Sequence, residues 1–119
     1  SDLGLMAPDQ QLYTQVGLPE EQQPVKPVTY SVVKTGMIGL TRYLASYWAD
    51  KNVRCNAMWP GGVENGQPKA FLVEVSSRIP MKRLAEPNEY QGALLWMLSD
   101  ASSYLNGAIV PIDGGRTAW

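Results

Sequence analysis

The chain has 119 residues, enough for one small domain or part of a larger one, and is 45% hydrophobic and 18% charged with a net charge of −1. No run of one sign suggests a nucleic-acid or membrane-surface partner, no apolar run approaches bilayer length, and no signal peptide is visible. There is no histidine, which excludes His-based nucleophile pairs and His-containing zinc sites; no metal is expected, and chemistry must come from Tyr, Lys, Ser, carboxylates or a cofactor.

Ser1-Asp2-Leu3-Gly4-Leu5 reads as the exit of a strand into a turn, or as a frayed terminus. Residues 7–27 hold Pro8, Pro19, Pro24 and Pro27 among many Gln and Glu, which predicts a long irregular connection. Loops of that length in compact domains are usually functional lids or disordered, and Leu12, Tyr13, Val16 and Leu18 are apolar enough to dock part of it.

A helix is predicted from about Val28 to Asp50, with Pro27 at its start and Thr29 as a capping candidate. Val33, Met37, Leu40, Leu44 and Trp48 recur at helical spacing and form its expected buried face. Gly36 and Gly39 each cost roughly 1 kcal/mol against Ala in a helix interior, so they suggest close backbone packing there, or simple tolerance in a well-packed helix. Near the start, Tyr30 and Lys34 stand four apart on one helix face. A phenol is a poor acid or base at neutral pH, and a fixed ammonium beside it favours its ionised form. Tyr30 with Lys34 is thus a candidate proton-transfer pair for an alcohol or carbonyl oxygen. The alternative is a solvated lysine beside a half-buried tyrosine.

Residues 53–59 read as a strand, with Cys55 a small buried hydrophobe within it. One cysteine permits no internal disulfide and fits a reducing compartment, the cytoplasm. The loop Pro60-Gly61-Gly62-Val63-Glu64-Asn65-Gly66-Gln67 leaves the strand's carboxyl end, where ligands sit in open α/β sheets; an ordinary turn is the competing reading. Residues 69–78 form a short amphipathic helix. A further helix is predicted over 87–99, with Ala93, Leu94, Met97 and Leu98 on its buried side. Residues 108–112 make a last strand, Pro111 arguing that it is an edge or that this position's backbone nitrogen faces away from pairing, and Asp113-Gly114-Gly115 is a turn before the tail. Alternating helices and strands argue for a parallel α/β sheet.

Several separated motifs agree in order and spacing. They are Tyr30-x-x-x-Lys34, the run from Asn52 through Pro60-Gly61-Gly62-Val63, Arg83-Leu84-Ala85-Glu86-Pro87 leading to Leu98-Ser99-Asp100-Ala101-Ser102, and Asp113-Gly114-Gly115. Together they resemble the C-terminal half of a short-chain dehydrogenase/reductase, most like sugar- or polyol-acting members. The resemblance implies an incomplete Rossmann-type doubly wound parallel sheet over residues 1–119, NAD or NADP as cofactor, and hydride exchange with a small alcohol or carbonyl substrate. It implies Tyr30 as general acid/base and Lys34 as the group that holds the nicotinamide ribose and favours the Tyr30 phenolate. Ser1, in the family's Ser-x-x-Gly context, is the implied hydrogen-bond partner of the substrate oxygen. Pro60, Gly61, Gly62 and Val63 are implied to meet the nicotinamide carboxamide, and Asn65 stands where the family usually has a cofactor-contacting Thr. Asn56 resembles a structural strand residue. Homodimers or homotetramers through the long helices are the family's habit.

The family's glycine-rich phosphate loop and its cofactor-selecting residue are not among these residues. The expectation is a fragment of a protein roughly twice as long, with apolar surface exposed where further strands would pack. Two other readings remain: an inactive remnant or subunit-pairing module without cofactor, and a Tyr/Lys nucleotide-sugar epimerase or dehydratase.

Overall fold

The computed structural model describes residues 1–119. Three helices and two strands follow in the order α1 (Val28–Tyr47), β1 (Ala57–Pro60), α2 (Lys69–Ser77), α3 (Gln91–Leu98) and β2 (Ile109–Ile112). Short 3-10 turns at Asp2–Gly4, Gln10–Tyr13, Glu20–Gln22, Ala49–Lys51 and Asp100–Ser102 fill the connections. The strands pair in parallel, Ala57 opposite Ile109 through Pro60 opposite Ile112, with α2 and α3 in the crossover. Pro111 has no N–H to donate, and within this chain β2 pairs with β1 alone.

α1 starts at Pro27, whose φ of −60° suits a helix start; no side chain caps it, so Thr29 does not play that part. It ends at Tyr47, three residues before the expected Asp50. A 3-10 turn follows, and Asn52 then takes the left-handed conformation (φ 57°), a conformation Asn tolerates better than most residues.

The first strand is shorter than its apolar pattern suggests. Residues 54–56 lie against the Leu105–Gly107 turn, not against a strand. The Cys55 amide donates to Asn106 Oδ1 (2.9 Å), Asn56 Nδ2 donates to the Leu105 carbonyl (2.8 Å), and Arg54 donates to the carbonyls of Leu105 and Met97. Side chains thus join one backbone bond, from the Gly107 amide to the Cys55 carbonyl (2.9 Å), and Asn56 has the structural role its motif implied. Cys55 is only half-buried.

α3 begins four residues after Pro87. Arg83 forks onto Glu89 (2.5 and 2.7 Å), and Glu89 Oε2 also accepts the Glu86 amide (2.8 Å), so residues 87–90 turn back before the helix starts. Hydrogen bonding to Arg83, then to the Glu86 amide, pulls the Glu89 carboxyl down to about 2. A carboxyl lowered in the folded state contributes stability that is complete above its unfolded value of about 4.3 and is lost as pH falls through about 2. Glu89→Gln should therefore flatten the acid limb of stability in that window, read as urea midpoints at stepped pH. An unchanged acid limb would refute this.

Only 12 of 119 residues are buried, so one small core must suffice. It consists of Val75, Ile79 and Leu84, with Leu12, Phe71 and Leu72 packed on it. Leu12 comes from the 7–27 connection, which is docked and ordered by its own polar side chains. Asp9 pairs with Arg78 (2.6 Å), Gln10 makes two bonds to the Lys26 backbone, and Gln23 bonds the backbone of Gln15 and Leu18. Val16 is fully exposed and takes no part.

The predicted buried face of α1 is not buried. Val33, Met37, Leu40 and Trp48 are exposed, and the residues that α1 does bury are Thr41 and Ala45. Gly36 and Gly39 face open space rather than a close neighbour. On α3, Met97 is buried but Leu94 and Leu98 are exposed. A two-stranded sheet is too narrow to cover these helix faces, so apolar surface stays open, as expected of a fragment.

Candidate active site

The amino-terminal segment and α1 meet tightly. Thr35 Oγ1 donates to the Gly4 carbonyl (3.2 Å), and a Cβ at Gly4 would stand 2.7 Å from Trp59 Cζ2. This contact brings Ser1 beside α1, where Ser1, Lys34, Met37, Thr41, Trp59 and Pro60 line part of a hollow of about 420 Å³.

Tyr30 lies one turn before Lys34 on α1, half-buried. The Lys34 ammonium stands 5.3 Å from the Tyr30 ring centroid, and a second ammonium, Lys26, stands closer at 3.9 Å. Lys26 also lies 6.0 Å from the Tyr13 ring. The tyrosine ring is therefore flanked by two cations, each attracted to its negative face. Burial holds the Tyr13 phenol above its ordinary range. Lys26 and Tyr13 carried no motif in the sequence; the docking of the 7–27 connection brings them here.

The loop after β1 is held from below. The Gly61 amide donates to the Ile112 carbonyl (2.9 Å), and its carbonyl accepts the Tyr90 hydroxyl (3.2 Å). Burial keeps the Tyr90 phenol above its ordinary range. A Cβ at Gly61 would fall 2.8 Å from Asp113 Cα, so only glycine lets the loop lie this close to the end of β2. Gly62 and Glu64 exchange backbone bonds with Ala85 around the Val63–Ala85 bridge. The amides of Gly62 and Val63 donate to nothing within the chain. Gln67 closes the loop, accepting the Asn65 amide and donating to the Val63 carbonyl, both at 2.7 Å.

The implied site residues divide accordingly. Ser1, Lys34 and Pro60 share the larger hollow. Gly61 and Gly62 line a second, smaller pocket of about 150 Å³ with Met81, Arg83, Tyr90 and Asp113. Tyr30, Val63 and Asn65 line neither, and the Asn65 side chain is exposed.

The chain's two ends meet as well. Arg116 Nη1 donates to Asp2 Oδ2 (3.0 Å), and both side chains are almost wholly buried, at 8% and 5% exposure. Arg116 is placed by the Asp113 turn. There the carboxylate accepts the Gly115 and Thr117 amides and the Thr117 hydroxyl, while Gly114 and Gly115 take positive φ. Neither Asp2 nor Arg116 stood out in the sequence.

The family model of the enoyl-(acyl carrier protein) reductases matches residues 16–117. The chain belongs to the short-chain dehydrogenase/reductase family. A short-chain dehydrogenase from Leptospira borgpetersenii, solved with bound NAD+, superposes with a TM-score of 0.85 at 30% identity, covering 98% of this chain and 42% of that one. Among curated relatives, an NADH-dependent L-xylulose reductase from Ambrosiozyma monospora is 40% identical over 105 residues. A ribulose-forming D-arabinitol 2-dehydrogenase from Candida tropicalis is 40% identical over 98 residues. They match 81% and 76% of this chain, which spans only 38% and 35% of their lengths. The two-stranded parallel sheet is accordingly part of a short-chain dehydrogenase/reductase Rossmann fold. No helix is long and apolar enough to cross a membrane.

Proposed function

We propose that this chain is the C-terminal, proton-transferring half of a Rossmann-type domain in an NAD(P)-dependent oxidoreductase that interconverts an alcohol and a ketone on a sugar, polyol or similar small hydroxylated substrate. The observation that carries the reading is the place of Lys34, whose ammonium stands 5.3 Å from the Tyr30 ring and which shares a hollow with Ser1.

The residues fit the nicotinamide end of such a cofactor. Lys34 forms no ion pair, so its ammonium is available to ribose hydroxyls. The free amides of Gly62 and Val63 suit a carboxamide. When bound, the nicotinamide supplies hydride chemistry. This chain's share is the proton: Tyr30 gives or takes it at the substrate oxygen, and Ser1 orients that oxygen. Asn65 has an exposed side chain whose amide can donate where the family has a hydroxyl. The bound NAD+ and the NADH dependence of the relatives support NAD over NADP. Their substrates support a polyol or ketose, and the exposed apolar face of α1 supports a homodimer or homotetramer.

The test is turnover by the full-length protein of D-arabinitol with NAD+ and of L-xylulose with NADH, followed by nicotinamide absorbance, together with NADH binding. Binding and turnover of either pair support the reading. Failure to bind NAD(H) or NADP(H) would favour a subunit-pairing module instead.

A further inference from the structure

We propose that Asp2, locked by Arg116, is a positioning residue that sets the direction of the Ser1 hydroxyl. The inference rests on the reading of Ser1 as the group that meets the substrate oxygen.

Ser1 Oγ donates to Asp2 Oδ1 at 3.3 Å and accepts the Leu3 amide at 3.4 Å. A serine hydroxyl has one proton to give, and an ionised carboxylate can only accept it. At 3.3 Å the bond is well beyond the ~2.5–2.7 Å of a strong hydroxyl–carboxylate bond. It therefore directs the hydroxyl and leaves its proton free to swing to a substrate oxygen.

The carboxylate itself cannot rotate. Its Oδ1 also takes the Leu3 amide at 2.9 Å, and its Oδ2 takes Arg116. Arg116 has no other side-chain hydrogen bond, and its Nε is buried without a partner. Packing alone does not account for such an arginine. A buried ion pair with an unmet donor is a poorer stabiliser than apolar side chains of the same volume. Its geometry is instead suited to fixing Asp2, one residue from Ser1.

The experiment is a double-mutant cycle in the full-length protein. Ser1→Ala, Asp2→Asn and the pair are compared by kcat and KM for D-arabinitol with NAD+. Amide hydrogen exchange at Leu3 is followed in the same proteins. Asp2→Asn is expected to lower kcat about ten- to a hundredfold with little change in KM, as a misplaced group does. It should add nothing once Ser1 is Ala. Arg116→Met should reproduce the loss and Arg116→Lys recover part of it; if Arg116→Met fails to fold, Arg116→Lys against Asp2→Asn carries the comparison. Losses at Ser1 and Asp2 that multiply would overturn the proposal. So would unchanged Leu3 exchange in Asp2→Asn. Full activity in Ser1→Ala would sink the reading of Ser1, and the positioning role with it. A parent protein that does not turn over the probe is a failure of the substrate reading alone, and Leu3 exchange then decides the matter.

Discussion

Replacing Tyr30 with Phe should lower kcat about 10²–10⁴-fold, the usual share of a positioned general acid or base, and leave NADH binding unchanged. The hydroxyl is the only atom lost. The ring stays on α1, and both ammonium groups that face it, Lys26 at 3.9 Å and Lys34 at 5.3 Å, keep the same aromatic surface. The helix is not weakened, because Tyr and Phe have nearly equal helix propensity. Steady-state turnover alongside NADH titration in the full-length protein separates the two effects. Turnover at the parent rate would mean that the proton comes from another group. Loss of both turnover and binding would mean that the ring change had disturbed the cofactor site.

The second large effect is on stability. Arg116→Met should destabilise the protein by about 3–5 kcal/mol, the usual result of removing one partner of a buried ion pair. Asp2 would keep the Ser1 hydroxyl and the Leu3 amide but lose its counter-charge while still buried. Since domains are stable by about 5–15 kcal/mol, this is a large fraction of the total. Asp2→Leu combined with Arg116→Met removes both charges and should cost less than Arg116→Met alone. Urea midpoints of the three proteins decide it. A double variant less stable than the single one would show that the site depends on the polar pair itself, contrary to this account.

The parts of the molecule legible from the residues are those fixed by local spacing. Tyr30 and Lys34 are one helical turn apart, so any helix through them puts them together. The parallel pairing followed from the alternation of helices and strands. What could not be read depends on distant neighbours. The stripe from Val33 to Trp48 declares itself apolar, but spacing cannot say whether anything covers it, and here only Leu44 is partly covered. Residues 54–56 continue the apolar pattern of the strand, yet the side chains of Asn56 and Asn106 make most of their bonds to the facing turn. The start of α3 was misplaced because the Arg83–Glu89 fork outweighs the helix preference of the residues before it. Asp2 and Arg116 lie 114 positions apart, and no periodicity links them.

That separation also sets an order in time. A chain made from its amino end folds α1 early, because helical contacts are local. Tyr30 and Lys34 are therefore in register as soon as α1 forms. Asp2 must wait for the fourth residue from the far end of the described chain, after both strands of the parallel pair have formed. The Ser1 hydroxyl is thus the last of the three groups to be set. A chain cut after Gly115 would keep every helix and strand yet leave Asp2 without its counter-charge. It would pass for folded by its secondary structure while lacking an aligned serine.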